Sequence, residues 1–102
     1  MIDLIEDQRE SLTQLCNRYQ VRCLEVFGSA AGDDFDQASS DLDFLVEFQD
    51  LKPGEHADAY FGLLESLQEL FDRTVDLVMI SAIKNPYFLE SVNQSRTVLY
   101  AA

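Results

Sequence analysis

The run from Asp41 to Phe48, Asp-Leu-Asp-Phe-Leu-Val-Glu-Phe, leaves a chain little conformational choice. Side chains alternate faces along a strand, so Leu42, Phe44, Val46 and Phe48 share one face while Asp41 and Asp43 share the other. The segment is therefore expected to be a strand with its apolar face on a core. A β-rich run from Val21 to Phe27 precedes it and ends at Gly28 and Ser29. Two carboxylates about 7 Å apart at the exposed end of a strand can converge on a divalent cation. A Gly-Ser turn offers backbone N–H groups and a hydroxyl, which are suited to cradling phosphate. Together these parts point to metal-dependent chemistry on a nucleoside triphosphate.

The rest of the chain supplies elements to cover that strand. Leu4, Ile5, Leu12, Leu15, Cys16 and Tyr19 recur at helical spacing and predict one amphipathic helix over 3–19. Ser29 is placed to cap a short helical turn through Ala30 and Ala31, and Gly32 to Ser40 reads as a polar, mostly acidic surface loop. After the Lys52-Pro53-Gly54 turn signal, Ala57, Tyr60, Phe61, Leu64, Leu67 and Phe71 predict a second long helix, with Gly62 marking a close contact. Thr74 to Ile80 reads as a third strand, Asn85-Pro86 as a capped helix start, and Thr97 to Tyr100 as an edge strand. The order α-β-β-α-β-α, with a last strand, implies an α/β (α+β) fold: a small mixed β-sheet flanked by helices. The polar face carrying the aspartates is expected to stay open.

At 102 residues, with 47% hydrophobic and 25% charged residues, the chain is expected to form a single folded domain over 1–102. The net charge of −12, from seven basic and nineteen acidic residues, argues against nucleic acid and anionic membranes as partners. A basic protein partner would be attracted quickly and in a salt-sensitive way, although part of this charge also serves to keep the chain in solution. No apolar run of about 18 residues occurs, and the acidic start, Met-Ile-Asp-Leu-Ile-Glu-Asp, is unlike an export signal. Cys16 and Cys23 form no metal or redox motif, so a reduced, cytoplasmic location is the simplest expectation.

A metal site needs a further carboxylate, and a neighbouring strand can provide it. Asp76 interrupts the apolar run Val75 to Ile80, where a bare aspartate is costly unless paired or metal-bound. Read alone, it also fits a strand-end residue facing water, and Asp-x-Asp is common at strand edges. Asp33, Asp34 and Asp36 read as solvated loop, Glu47 lies further along its strand, and His56 reads as a surface or capping residue.

Val26-Phe-Gly-Ser-Ala-Ala31, eleven residues between Ser29 and Asp41, then Ser40 to Phe48 resemble the signature of the minimal nucleotidyltransferases of the polymerase β superfamily. Many of these are MntA-type antitoxins. Val75 to Val78 resembles the family's third-carboxylate strand, and Lys84 to Phe88 and Arg96 to Tyr100 also look like the family, so the likeness extends over nearly the whole chain.

The resemblance implies a nucleotidyltransferase fold and roles for particular residues. Gly28 and Ser29 would hold the triphosphate of ATP. Asp41 and Asp43 would bind Mg²⁺, with two ions expected, and Asp76 would complete the metal site and help activate the attacking hydroxyl. AMP would move from ATP to an acceptor, often a tyrosine of a HEPN-type RNase toxin (HepT), which it silences. One departure stands out: family members often carry a basic residue soon after Gly-Ser, whereas here Ala30, Ala31, Gly32, Asp33 and Asp34 follow. Lys84 and Arg96 are the substitutes to consider. Two other readings stay open. One is a non-catalytic antitoxin that neutralises its partner by contact; the other is a small-molecule nucleotidyltransferase that needs a dimer to complete its acceptor pocket. Homo- and hetero-oligomers are both compatible with the sequence.

Overall fold

The computed structural model describes residues 3–28 and 41–102. Its elements are α1 (Asp3–Glu6), α2 (Arg9–Arg18), β1 (Val21–Phe27), β2 (Leu42–Phe48), α3 (Pro53–Phe71), β3 (Val75–Met79), a 3₁₀ turn (Ile80–Ala82), α4 (Pro86–Ser95) and β4 (Thr97–Ala101). The strands form one mixed sheet in the order β3-β2-β1-β4. β1 runs antiparallel to both β2 and β4, while β2 and β3 are parallel. A parallel pair requires a crossover, and α3 provides it.

The alternation in β2 does what its residue types demand. Leu42, Phe44, Val46 and Phe48 are buried on one face, together with Leu24 and Val26 of β1 and Val75 and Leu77 of β3. Leu12 and Cys16 of α2 and Leu63, Leu67 and Phe71 of α3 close over them. Tyr60 of α3 donates its hydroxyl proton to the Leu77 carbonyl at 2.6 Å, anchoring the helix to the edge strand. Cys16 and Cys23 are free thiols, and burial pushes the Cys16 thiol up to about 12, which leaves it unreactive.

Three expectations change, for the first helix, for the open face of the sheet and for His56. The first helix is broken into α1 and α2 at Asp7 and Gln8. Glu6 to Ser11 is six polar residues in a row, so the stretch offers the core no apolar side chain, and the chain turns there through a Gln8 N–H bond to the Ile5 carbonyl. The opposite face of the sheet is also less open than its aspartates suggest. Leu45, at their parity, is fully buried with Phe27 and Val92, and Val78, Ile80 and Ile83 pack against this second cluster. Helix α4 thus covers half of that face and leaves the other half to the carboxylates.

The remaining helix signals behave as their chemistry predicts. Asn85 caps α4, its Oδ1 accepting from the N–H groups of Tyr87 and Phe88 at 2.9 and 3.4 Å, with Pro86 in the first turn. Gly62 of α3 lies where a Cβ would stand 2.5 Å from Cε1 of Tyr19, so the close contact is real. His56 is half-buried, its ring edge-on to Phe48 with centroids 6.3 Å apart, rather than at the surface. The short helical turn expected at 29–31 and the surface loop expected at 32–40 fall outside the described residues.

Candidate active site

The site is assembled where β1 ends and β2 and β3 begin. In the parallel β2–β3 pair Asp43 is directly opposite Asp76, so the two carboxylates leave the same face on adjacent strands. In the antiparallel pair Asp43 is also opposite Phe27, which brings Gly28 against it. Asp41 precedes β2 on the same side, and the Leu42 N–H donates to the Thr74 carbonyl at 3.2 Å, tying the two strand starts together.

The electrostatics follow from this convergence. Burial, then the charge of Asp76, then that of Asp41 push the Asp43 carboxyl up to about 6. Asp43 is half-buried, whereas Asp41 and Asp76 are exposed. Three like charges facing one another with one of them partly desolvated form a place where a cation relieves repulsion. Mg²⁺ takes carboxylate oxygens and retains several waters, so the donor chemistry fits. Among the described residues, however, no three His, Cys, Asp or Glu side chains stand close enough to hold a metal ion as they are. The carboxylates are neighbours, not a closed cage.

Gly28 has a backbone reason to be glycine. Its φ is +73°, and a Cβ there would lie 2.7 Å from Oδ2 of Asp43. Its N–H does not point into open space: it donates to Oγ of Ser95, the last residue of α4, at 2.9 Å. Ser29 falls outside the described residues. Ser95 carried no signal in the sequence, because only the return of α4 across the sheet brings it to the turn.

Neither substitute cation serves the site. Arg96 is committed to the buried Glu25, with Nε at 2.8 Å and Nη2 at 2.6 Å from the same carboxylate oxygen, and its Nη1 donates to Asn93. Lys84 follows the 3₁₀ turn beyond the far end of β3, with the length of that strand between it and Asp76. Glu47 pairs with Arg22 at 3.1 Å, which accounts for it away from the carboxylate group.

A sheet end bearing three opposed aspartates beside a glycine turn is one geometry of phosphoryl-transfer chemistry, and comparison decides the family. Residues 8–99 match the family model described as a nucleotidyltransferase domain. The chain belongs to this nucleotidyltransferase family.

The nucleotidyltransferase is also 34% identical over 94 residues to a protein of Methanocaldococcus jannaschii named "putative protein adenylyltransferase", with 90% of this chain and 87% of that protein covered. Among solved structures it resembles one described as a "putative minimal nucleotidyltransferase", with a TM-score of 0.65 and 30% identity over 94% of this chain and 95% of the other. It shares its fold at 19% identity and a TM-score of 0.64 with a chain in the complex of a tri-AMPylated Shewanella oneidensis HEPN toxin with an MNT antitoxin, covering 95% of this chain and 72% of that one. No helix among the described residues is long and apolar enough to cross a membrane.

Proposed function

We propose that this nucleotidyltransferase moves AMP from ATP to a tyrosine hydroxyl of a partner protein, acting as the antitoxin to a HEPN-type RNase toxin. The observation that carries the proposal is the strand register that sets Asp76 opposite Asp43 beside Gly28. The M. jannaschii relative's name supports protein adenylylation, and the AMPylated toxin in the S. oneidensis complex supports the acceptor class.

In this reading Asp41, Asp43 and Asp76 hold Mg²⁺, with two ions, and Gly28 and Ser29 hold the triphosphate. Magnesium held there would supply positive charge against the phosphates as negative charge develops. A carboxylate oxygen of Asp76, the most open of the strand-borne pair, takes the proton of the acceptor hydroxyl as that oxygen bonds to the α-phosphorus. The bond from the α-phosphorus to the bridging oxygen breaks, and pyrophosphate leaves. The surplus of nineteen acidic over seven basic residues favours a basic protein partner over nucleic acid. One domain spanning 1–102 acts in the cytoplasm, where ATP is at hand.

A second reading, neutralisation by contact alone, is favoured by one set of observations. The Gly28 N–H is already bonded, Arg96 is engaged, and no basic residue occurs between Ser29 and Asp41. One experiment separates the two. The chain is mixed with ATP, Mg²⁺ and the protein encoded beside it, and the partner is weighed by mass spectrometry. Transfer predicts a gain of one AMP on a tyrosine, lost with Asp43→Asn. A stoichiometric complex without ATP, no adduct, and full neutralisation by Asp43→Asn would overturn it in favour of contact.

A further inference from the structure

Helix α4 contributes to the sheet-end cluster from a distance of 67 positions in the chain, through Ser95. Its own attachment is uneven. Only Val92 of α4 is buried, while Tyr87, Phe88 and Leu89 near its start are exposed, Tyr87 by 82%. The helix is fastened at its other end. Arg96 caps it, donating its N–H to the Val92 carbonyl and two guanidinium N–H groups to Glu25 of β1. Thr97 Oγ1 donates to the Ser95 carbonyl at 3.3 Å, and Thr97 then pairs with Val26 in the β1–β4 ladder. Ser95 is thereby held on both sides, and its Oγ meets the Gly28 amide at 2.9 Å.

The turn it touches has little tolerance. Gly28 is in the left-handed region, and its α-carbon lies so near Asp43 that a single methyl would reach within 2.7 Å of Oδ2. A turn free to shift by a few tenths of an ångström would move against, or away from, that carboxylate. Rates of reactions that depend on alignment are sensitive to displacements of this size.

We propose that Ser95 is a positioning residue: its hydroxyl holds the Gly28 amide and so sets the spacing between the β1 turn and Asp43 for AMP transfer. This inference rests on the functional reading above for its kinetic consequence, but not for its structural part. The Ser95 hydroxyl accepts the Gly28 N–H and keeps its own proton for donation. Alanine removes the acceptor, whereas threonine keeps it.

The test uses the full chain with Ser95→Ala and Ser95→Thr. Amide exchange at Gly28, followed by NMR, is expected to be at least tenfold faster in Ser95→Ala than in wild type and near wild type in Ser95→Thr. In AMP transfer, kcat is expected to fall about tenfold in Ser95→Ala with KM for ATP changed less than twofold, and Ser95→Thr is expected to restore kcat. A role in folding alone would lower the melting temperature and leave kcat of the folded protein unchanged, which overturns the proposal. Unchanged Gly28 exchange in Ser95→Ala overturns it as well. If the wild-type chain transfers no AMP, the functional reading fails by itself, and the Gly28 exchange ratio still decides whether Ser95 holds the turn.

Discussion

Asp43 and Asp76 face each other across the parallel β2–β3 pair, one residue opposite one residue, at the end of the sheet where Gly28 closes β1. Asp76 is the one charged residue of β3, while β2 carries Asp43 near its start and Glu47 near its end. Their opposition concentrates negative charge where the sheet is only half covered, and a cation is the natural complement.

Removing one member should abolish transfer without unfolding the chain. Asp76→Asn is expected to lower AMP transfer at least 100-fold, beyond the ~10–100-fold typical of losing a ligand's supporting partner. Because Asp76 is exposed, its melting temperature should stay within a degree or two of wild type. Chelation of Mg²⁺ should stop transfer in the wild type to the same extent.

The Asp43 carboxyl makes stability depend on pH. Its value in the folded chain is about 6 against an ordinary 3.8, so the folded state holds this proton more tightly than the unfolded state does. The stability it contributes is fully present below about pH 4 and is lost as the pH rises through 6. In chelator-treated buffer, Asp43→Asn should flatten that slope. It should also raise stability at pH 7 by about 1 kcal/mol, a value discounted for the solvent that reaches the half-buried carboxyl. Urea titrations of both proteins between pH 4 and pH 7 would show it. Added Mg²⁺ should flatten the wild-type slope in the same way.

Gly28→Ala combines two costs. The left-handed backbone costs about 1–2 kcal/mol for a residue with a Cβ. The new methyl must also displace Oδ2 of Asp43 from 2.7 Å. Denaturation should register the first, and loss of AMP transfer exceeding that of Ser95→Ala should register the second.

Gly62→Ala sets helix propensity against packing. Alanine favours a helix by about 1 kcal/mol over glycine, but its Cβ would stand 2.5 Å from the Tyr19 ring, which also bonds Ser66 through its hydroxyl at 3.1 Å. Overpacking of this kind costs about 1–3 kcal/mol, so a net loss near 1 kcal/mol is expected. In a Tyr19→Ala background the same change should become stabilising, since the obstacle is gone.

Arg96→Met would strand Glu25, which is only 6% exposed, without its bidentate partner. Leaving one charge of a buried pair unmatched costs about 3 kcal/mol or more. The double change Glu25→Leu with Arg96→Met should recover most of that loss in thermal melts.

Local chemistry was legible wherever neighbours in sequence decide structure. Period-two alternation placed Leu42, Phe44, Val46 and Phe48 in the core, and Asn85-Pro86 marked the start of α4 through its own side-chain cap. The parity of Asp41 and Asp43 follows from the same rule. By contrast, the break at Asp7 and Gln8 depended on how the chain enters α2, where Arg9 donates to the Leu99 carbonyl of β4, and the burial of Leu45 required knowing where α4 lands.

The amino-acid order by itself thus determined the strands, the helix faces and which carboxylates share a side of one strand, because these depend on repeat distances of a few residues. Only the tertiary structure decided that Asp76 pairs with Asp43 and not with a neighbour one residue away. A slip of one residue in that parallel register would turn Asp76 into the core. It also decided that the Gly28 amide is bonded to Ser95. These relationships join segments dozens of residues apart, and they exist only once packing has selected one path for the chain.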